Sequence, residues 1–262
     1  MKRLWPGRTI RSRCDLQGYA ICTEPRSGSN FLCEVLASTG MLGKPTEYFS
    51  GATRRRRGMA NYPDDREAQV EKILDLAMTP NGVYGLKIFE FQIDQVRHTR
   101  WTERLPSLGY IHLIRLDVLG QAISLVRALQ TSQWIADDLP EAGYAYDFNQ
   151  IRDQLVRIQK AQNRWASYIR RQGAPILRLV YEDIARAPQS AATAVAEFLG
   201  LDEEPIVDMA QVGLRVQRDA VTEEWRRRFI AAAGDLPVCR LSARSSSAWS
   251  YSCSVAGREG SP

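Results

Sequence analysis

Apolar residues recur along the chain in short runs of strand length, separated by longer segments in which they follow a helical period. The short runs predict β-strands at residues 19–23, 83–88, 109–114 and 176–180. The longer segments predict helices at residues 30–39, 64–78, 117–130, 150–171 and 189–199. Strands that alternate with helices are typical of βαβ units, so we expect an α/β fold with a central, mostly parallel sheet flanked by helices. In such sheets ligands bind beyond the carboxyl ends of the strands.

The composition predicts one folded domain with two appendages. Of the 262 residues, 44% are hydrophobic and 25% charged, which excludes intrinsic disorder as the overall class. We expect the domain at residues 18–238, after a basic extension at residues 1–17. Residues 239–262 are rich in serine without an apolar period, which predicts a disordered tail. No transmembrane-length apolar run and no secretory signal are visible, so we expect a cytoplasmic protein.

Residues that commonly hold metals are scarce. The chain has five cysteines, with no C-x-x-C pair, and the two histidines are His98 and His112. This pattern predicts neither a disulfide framework nor a metal site. His112 lies inside an apolar run, where a satisfied core residue is expected, and His98 lies at the end of a polar helical segment.

The charge balance suggests an anionic ligand without proving one. Lysine and arginine number 35 against 30 aspartates and glutamates, a net charge of +5. Most such excess is a solvated face. Residues 54–57 are four consecutive arginines in a segment that we expect to be a loop. The run is either exposed decoration or a binding surface for an acidic acceptor.

The segment after the first predicted strand has the composition of an anion-binding loop. Gly28 permits a tight backbone, and the N-terminus of the following helix offers free N–H groups and a positive dipole end. Arg26, Ser27, Ser29 and Asn30 add side-chain donors. The alternative is an ordinary strand–helix turn capped by Ser29. The loop lacks the G-x-x-x-x-G-K-[ST] pattern of nucleoside-triphosphate P-loops, which disfavours metal-assisted phosphoryl transfer.

A second cationic position follows the third predicted strand. Arg115 lies at the carboxyl end of that strand, and Ser124 lies nine residues later on the next predicted helix. Together they could hold another phosphate across the sheet. The alternative is a surface salt bridge from Arg115 to Asp117.

These segments together resemble the PAPS-dependent bacterial carbohydrate sulfotransferases typified by trehalose 2-sulfotransferase. The 24–32 loop is similar to the family's 5′-phosphosulfate loop. Further resemblances, in the family's order, are GKPTEYF at residues 43–49, YGLKIF at residues 84–89, Arg115 with Gln121, Ala122 and Ser124, and finally Gln217, Asp219, Glu224 and Trp225. The resemblance covers about residues 18–235 and implies a P-loop-like sulfotransferase architecture. The segment between Phe49 and Asp64 departs from it, since it is short and carries the arginines.

The resemblance implies how the co-substrate PAPS would be bound. The 5′-phosphosulfate would be held by the residues of the first loop, namely Arg26, Ser27, Gly28, Ser29 and Asn30. Arg115 and Ser124 would hold the 3′-phosphate, and Gln217 would complete the donor site. No metal is implied, because arginine and lysine supply the positive charge.

It also implies a catalytic group and an acceptor site. Glu47 would be the general base, with an exposed loop glutamate as the alternative. Arg26 and Lys87 would also be catalytic. Lys87 would stabilise developing negative charge, with an ordinary solvated strand-end lysine as the alternative. Tyr48, Phe49 and Trp134 would stack on a carbohydrate or glycolipid acceptor, with ordinary core aromatics as the alternative. A homodimer is possible, and neither a nucleic-acid partner nor a transmembrane segment is expected. The functions left as alternatives are a P-loop-type nucleotide kinase or phosphotransferase and a basic nucleic-acid-binding module.

Overall fold

The computed structural model describes residues 17–134, 143–213 and 220–234. The strands are β1 (Gly18–Thr23), β2 (Tyr84–Phe89), β3 (Leu108–Ile114) and β4 (Ile176–Val180). The helices are α1 (Ser29–Ser38), α2 (Gly51–Arg56), α3 (Arg66–Ala77), α4 (Ile93–Val96), α5 (Trp101–Arg104), α6 (Val118–Thr131), α7 (Phe148–Gln172), α8 (Tyr181–Arg186), α9 (Pro188–Phe198) and α10 (Ala220–Ala233). Most of the basic extension, the serine-rich tail and Gln217 lie outside the described residues.

The four strands form one parallel sheet in the order β2-β1-β3-β4. Strand β1 therefore lies inside the sheet, and its residue Ile21 pairs with Lys87 of β2 and Ile111 of β3. Parallel order places the carboxyl ends of all four strands along one edge. The loops that follow β1 and β3 consequently open side by side on that edge.

Both faces of the sheet are covered, which explains why β1 reads as an unbroken apolar run. Tyr19 and Ile21 pack on one face, in a cluster to which α1 and α9 contribute. Ala20 and Cys22 pack on the other face, in a cluster with residues of α3 and α7. A third cluster joins α6, α7 and α10 beside the sheet, with Trp225 and Phe229 buried in it.

The predicted strands and helices are confirmed, with boundaries that shift by no more than two residues. The prediction of a loop at residues 54–57 is wrong, because the arginine run lies largely within α2. Arginine has a high helix propensity, and the N–H of Arg54 closes the first turn on the carbonyl of Ser50 at 3.0 Å. Exposed decoration is also wrong for Arg54, whose side chain is buried.

Trp165 braces the end of β1, and we expect Trp165→Phe to destabilise the chain. The indole is fully buried, and its N–H donates to the Thr23 carbonyl at 3.0 Å. Phenylalanine would leave that carbonyl unsatisfied, at a loss of roughly 1–3 kcal/mol in the free energy of unfolding. Urea denaturation measures this change in the free energy of unfolding. Tyr168→Phe, which alters a ring in contact with Trp165, is the control; equal effects of both variants would contradict the role of the indole N–H.

Candidate active site

The loop between β1 and α1 turns sharply against Tyr181 of α8. Gly28 has φ +83°, and an added Cβ atom there would lie 2.0 Å from the Tyr181 ring. Thr23 donates its hydroxyl to the Leu113 carbonyl at 2.9 Å, and its Oγ lies 2.8 Å from Ser27 Oγ. Only glycine fits this combination of left-handed backbone and close packing.

Helix α1 begins at Ser29, and Gly28 precedes it as the N-cap residue without any side-chain hydrogen bond. Ser29 is therefore not the cap, and the alternative of an ordinary turn capped by Ser29 is wrong. The first-turn N–H groups of a helix have no partner within the helix, and here no cap side chain takes one. The N-terminus of α1 thus keeps its capacity to bind an anion.

Three arginines gather beside this loop. Arg26 donates from Nε to Ser124 Oγ at 2.8 Å and from Nη1 to the Trp134 carbonyl at 2.6 Å. Arg115 donates to the carbonyl of Arg26 at 3.1 Å. Burial lowers the pKa of Arg26, and repulsion by Arg115 and Arg127 lowers it further. Concentrated, partly desolvated positive charge of this kind favours the binding of an anion.

Three of the proposed phosphate-binding side chains, those of Arg26, Arg115 and Ser124, thus lie together, and Arg26 points to Ser124 of α6. An open cleft is lined by Arg26, Arg115, Ser124 and Arg127, and further by residues of α6 and α10. Sequence reasoning missed Arg127, whose Nη1 donates to Thr222 Oγ1 at 2.8 Å. Its position three residues after Ser124, on the same helix face, was the available signal.

The salt bridge considered for Arg115 is present but weak. Arg115 Nη2 lies 3.4 Å from Asp117 Oδ2, whereas Arg226 Nη2 of α10 contacts both oxygens of Asp117 at 2.7 and 2.8 Å. Burial alone would raise the pKa of Asp117, but hydrogen bonds from Arg226 and the Gly120 N–H outweigh it, and the net pKa is lowered. Asp117 is therefore engaged by Arg226, and the carboxylate only partly neutralises Arg115.

Lys87 links the first turn of α1 to Glu47. Its Nζ donates to Asn30 Oδ1 of α1 and lies 2.9 Å from Glu47 Oε1. Lys87 is the fourth of six residues in β2, and its side chain is 2% exposed. The alternative of a solvated strand-end lysine is therefore wrong. Glu47 is partly buried, since its side chain is 18% exposed, so it is not the freely solvated loop glutamate of the other alternative.

The predicted sugar-stacking aromatics separate into two groups. Tyr48 and Phe49 are buried in the core: the Tyr48 hydroxyl donates to the Lys44 carbonyl at 2.8 Å, and Phe49 packs edge-on against Trp101. Neither ring is open to an acceptor, because apolar packing of the 43–49 segment takes both inward. Trp134 is 37% exposed beside Arg26 and remains accessible.

A second buried carboxyl, Glu24, lies directly after β1 and was missed as a site residue. Glu24 is 2% exposed; Oε1 accepts from the Glu90 N–H at 3.3 Å, and Oε2 has no partner among the described residues. Burial raises the pKa of Glu24 to about 7. A narrow cleft beside it also holds unpartnered atoms of His112, Arg115 and Gln121.

His112 is thus not the satisfied core histidine that the sequence predicts. It is partly buried in β3, and its Nε2 has no hydrogen-bond partner within the described part of the chain. Burial lowers the pKa of His112 to about 4, and the positive charge of Arg178 lowers it further. Its imidazole is therefore neutral at pH 7 and adds no charge to the site.

No group of three or more His, Cys, Asp and Glu side chains within residues 17–134, 143–213 and 220–234 could hold a metal ion. Over the same ranges, no helix combines the length and apolar character needed to cross a membrane.

The fold is that of a parallel α/β protein, and its loop and arginines have the chemistry that binds phosphate or sulfate groups. Residues 18–232 match the profile of the family described as Stf0 sulphotransferase, so the chain belongs to that family. The family resemblance inferred from the sequence is confirmed.

Two relatives are trehalose 2-sulfotransferases. The one from Mycobacterium tuberculosis is 25% identical over 256 residues, covering 82% of this chain and 95% of the relative. The one from Mycolicibacterium smegmatis is 24% identical over 258 residues, covering 80% and 93%. Among solved structures, the chain is similar to the sulfotransferase domain of a Synechococcus olefin synthase, with 19% identity and a TM-score of 0.48. The match covers 92% of this chain and 98% of that domain.

We expect Glu24 to make the free energy of unfolding fall as pH rises, and Glu24→Gln to remove that dependence. Its folded pKa of about 7 exceeds the ordinary value of 4.5, so the folded state retains a proton that the unfolded chain releases. The contribution of Glu24 to the free energy of unfolding of wild type therefore falls as pH rises from 4.5 to 7. Above pH 7 this contribution is lost. We expect the stability of Glu24→Gln, relative to wild type, to grow by about 3 kcal/mol between pH 4.5 and 8.

Chemical denaturation at several pH values measures this difference, and the titration of His112 cancels because both proteins contain it. Glu71→Gln, at an exposed carboxyl on α3, is the matched control and should show no such growth. A Glu24→Gln difference that is constant with pH would contradict the assignment.

Proposed function

We propose that the chain transfers a sulfuryl group from PAPS to a hydroxyl of a carbohydrate or glycolipid and releases PAP. The observation that carries the proposal is the contact of one buried ammonium, Lys87, with both Asn30 of the loop and Glu47. It joins a donor-binding element and a carboxylate at one point. Family membership favours sulfuryl transfer over the nucleotide kinase and the nucleic-acid-binding module.

The residues of the site fit PAPS, which supplies an activated sulfuryl group and a 3′-phosphate. The N-terminus of α1, with Ser27 and Ser29, binds the 5′ side. Arg115 and Ser124 bind the 3′-phosphate, and Arg26 lies between the two groups, since it contacts Ser124 and belongs to the loop. Arginine forks suit such oxyanions because they offer paired, permanently charged donors.

Glu47 and Lys87 act on the acceptor side. Glu47 accepts the proton of the acceptor hydroxyl, and its partial burial beside Lys87 holds the carboxylate in place. Lys87 places positive charge where negative charge develops during transfer. Asn30 orients Lys87 through its side-chain carbonyl. Sulfuryl transfer resembles phosphoryl transfer, in which positioning and fixed charge supply most of the catalysis.

The acceptor is a sugar hydroxyl by analogy with the trehalose 2-sulfotransferases. Trp134 is the aromatic that remains exposed for stacking on a sugar ring. Tyr48 and Phe49 shape the segment that carries Glu47 from the inside. The donor site and the acceptor site then meet at Lys87.

PAP should raise the Tm far more than AMP, because only PAP carries the 3′-phosphate that Arg115 and Ser124 read. A ligand at a hundred times its Kd adds about 2.7 kcal/mol, or roughly 5–10 °C for a chain of this size. Arg115→Gln should remove most of the advantage of PAP, whereas Arg152→Gln, at an exposed position of α7, should not. Differential scanning fluorimetry measures the shifts, and equal shifts with PAP and AMP would refute the 3′-phosphate assignment.

Glu47→Gln should cut single-turnover transfer about 10²–10⁴-fold at saturating PAPS while PAP affinity is retained. Glutamine keeps the size and the oxygen that faces Lys87, but it cannot take the hydroxyl proton. The substitution also removes the charge partner of a buried lysine, so rates are measured well below the Tm of the variant. Glu71→Gln is again the control. Transfer within threefold of wild type would place the base elsewhere.

A further inference from the structure

Arg54 is a buried arginine whose guanidinium makes no hydrogen bond or ion pair with the described residues. Its side chain is 8% exposed, and its Nε is fully enclosed without a partner. The contact that the structure shows is with an aromatic ring, since Arg54 Cζ lies 5.8 Å from the centre of the Tyr48 ring. Of the five N–H donors of this guanidinium, the one on Nε is enclosed and unpaired, and such burial is unfavourable.

The neighbouring arginines show that this region does satisfy guanidinium groups elsewhere. Arg55, the next residue on α2, donates to the Tyr62 carbonyl at 2.8 Å and to Asp64 Oδ1 at 2.9 Å. Arg66 donates to the Phe49 carbonyl at 2.7 Å and to Gln69 Oε1 at 2.8 Å. Arg54 therefore differs from both in being buried without a hydrogen-bond partner among the described residues.

The surroundings of Arg54 offer it no carboxylate of its own. The groups that act on it electrostatically are Tyr48, Arg57, Tyr62 and Glu47. Glu47 is already paired with Lys87 at 2.9 Å, and Arg57 repels. An anion from outside the chain would remove this imbalance, because a charge-assisted bond to a desolvated arginine is among the strongest polar contacts.

The position of Arg54 relative to Glu47 indicates which molecule supplies the anion. Glu47 is the group that must contact the acceptor hydroxyl, and it lies seven residues before Arg54 in the segment that leads into α2. The donor-binding arginines Arg26 and Arg115 lie instead at the ends of β1 and β3. Glu47 acts on Arg54 electrostatically, whereas Arg26 and Arg115 are not among the groups that do, so Arg54 lies on the acceptor side of the site.

We propose that the acceptor carries an oxyanion, a carboxylate or a phosphate ester, which Arg54 binds while Glu47 contacts the hydroxyl to be sulfated. This inference rests on the proposed function and specifies its acceptor class as anionic sugars or glycolipids. Arg54 is then a specificity-determining residue that distinguishes a charged acceptor from its neutral counterpart.

The first test measures anion binding with the donor site filled. With PAP saturating, inorganic phosphate is compared with chloride at equal ionic strength, and the rise in Tm is recorded for wild type, Arg54→Met and Arg56→Met. Arg56 is the matched control, since it lies on the same helix but is exposed. We expect wild type and Arg56→Met to respond to phosphate and Arg54→Met to lose most of the response. Equal responses in all three proteins would overturn the proposal.

The second test separates a ligand-binding role from a structural one. Methionine retains an unbranched, apolar side chain that can pack over Tyr48, and it removes an unpaired buried charge, so Arg54→Met should be at least as stable as wild type without phosphate. If Arg54→Met instead unfolds or has a much lower Tm, Arg54 is a structural residue and the proposal fails.

The third test identifies the source of the oxyanion by transfer from PAPS to glucose, glucuronate and glucose 6-phosphate. We expect kcat/KM for a charged sugar to exceed that for glucose by roughly tenfold to a hundredfold, and Arg54→Met to abolish the preference. Preferred glucuronate indicates a carboxylate, and preferred glucose 6-phosphate indicates a phosphate ester. Glucose used as well as both would overturn the proposal; if none reacts, the phosphate measurement decides it. Failure of PAP to bind would refute the proposed function separately.

Discussion

The site depends on a tight reversal of the backbone at the carboxyl end of β1. Within five residues the chain must leave a fully buried strand and begin α1 with its N-terminus open. Gly28 makes this possible, since the Tyr181 ring occupies the space that a side chain would need. Two hydrogen bonds fix this loop. The Trp165 indole N–H donates to the Thr23 carbonyl, and the Gln121 amide donates to the Pro25 carbonyl at 2.9 Å. A rigid loop of this kind presents fixed dipoles to a ligand without reorganisation.

Electrostatic imbalance organises the surroundings of that loop. Arg26, Arg115 and Arg127 lie close enough to depress the pKa of Arg26, and Asp117, the nearby carboxylate, is bound more tightly by Arg226. Like charges held together in a partly desolvated cleft are unfavourable until an anion binds. The phosphate or sulfate group that we propose to bind here would relieve this repulsion, so the stability lost to the cluster would appear as affinity for the ligand.

Lys87 contacts both Asn30 in α1 and Glu47 in the 43–49 segment. A lysine in the middle of a buried strand is unusual, and it is tolerated because Asn30 and Glu47 satisfy its ammonium group. The 43–49 segment is held at both sides of its backbone. Tyr48 and Phe49 are buried in the core, and Glu47 pairs with Lys87. The aromatic residues of this segment thus position the carboxylate, and the surface that would face the proposed sugar acceptor is built by other residues.

The α/β alternation and the loop can be predicted from local sequence, because apolar periodicity and glycine chemistry are local properties. The strands, the main helices and the positions of Arg26, Gly28, Arg115 and Ser124 after strand ends followed from it. Other features depend on tertiary structure and follow from no local pattern. Lys87 pairs with Glu47, and Tyr48 and Phe49 are buried in the core. Arg127 lies close enough to Arg26 to lower its pKa, and Arg54 is buried with its Nε unpartnered among the described residues. Each of these depends on contacts between segments distant in the chain, and burial and pairing are set by such contacts rather than by residue type.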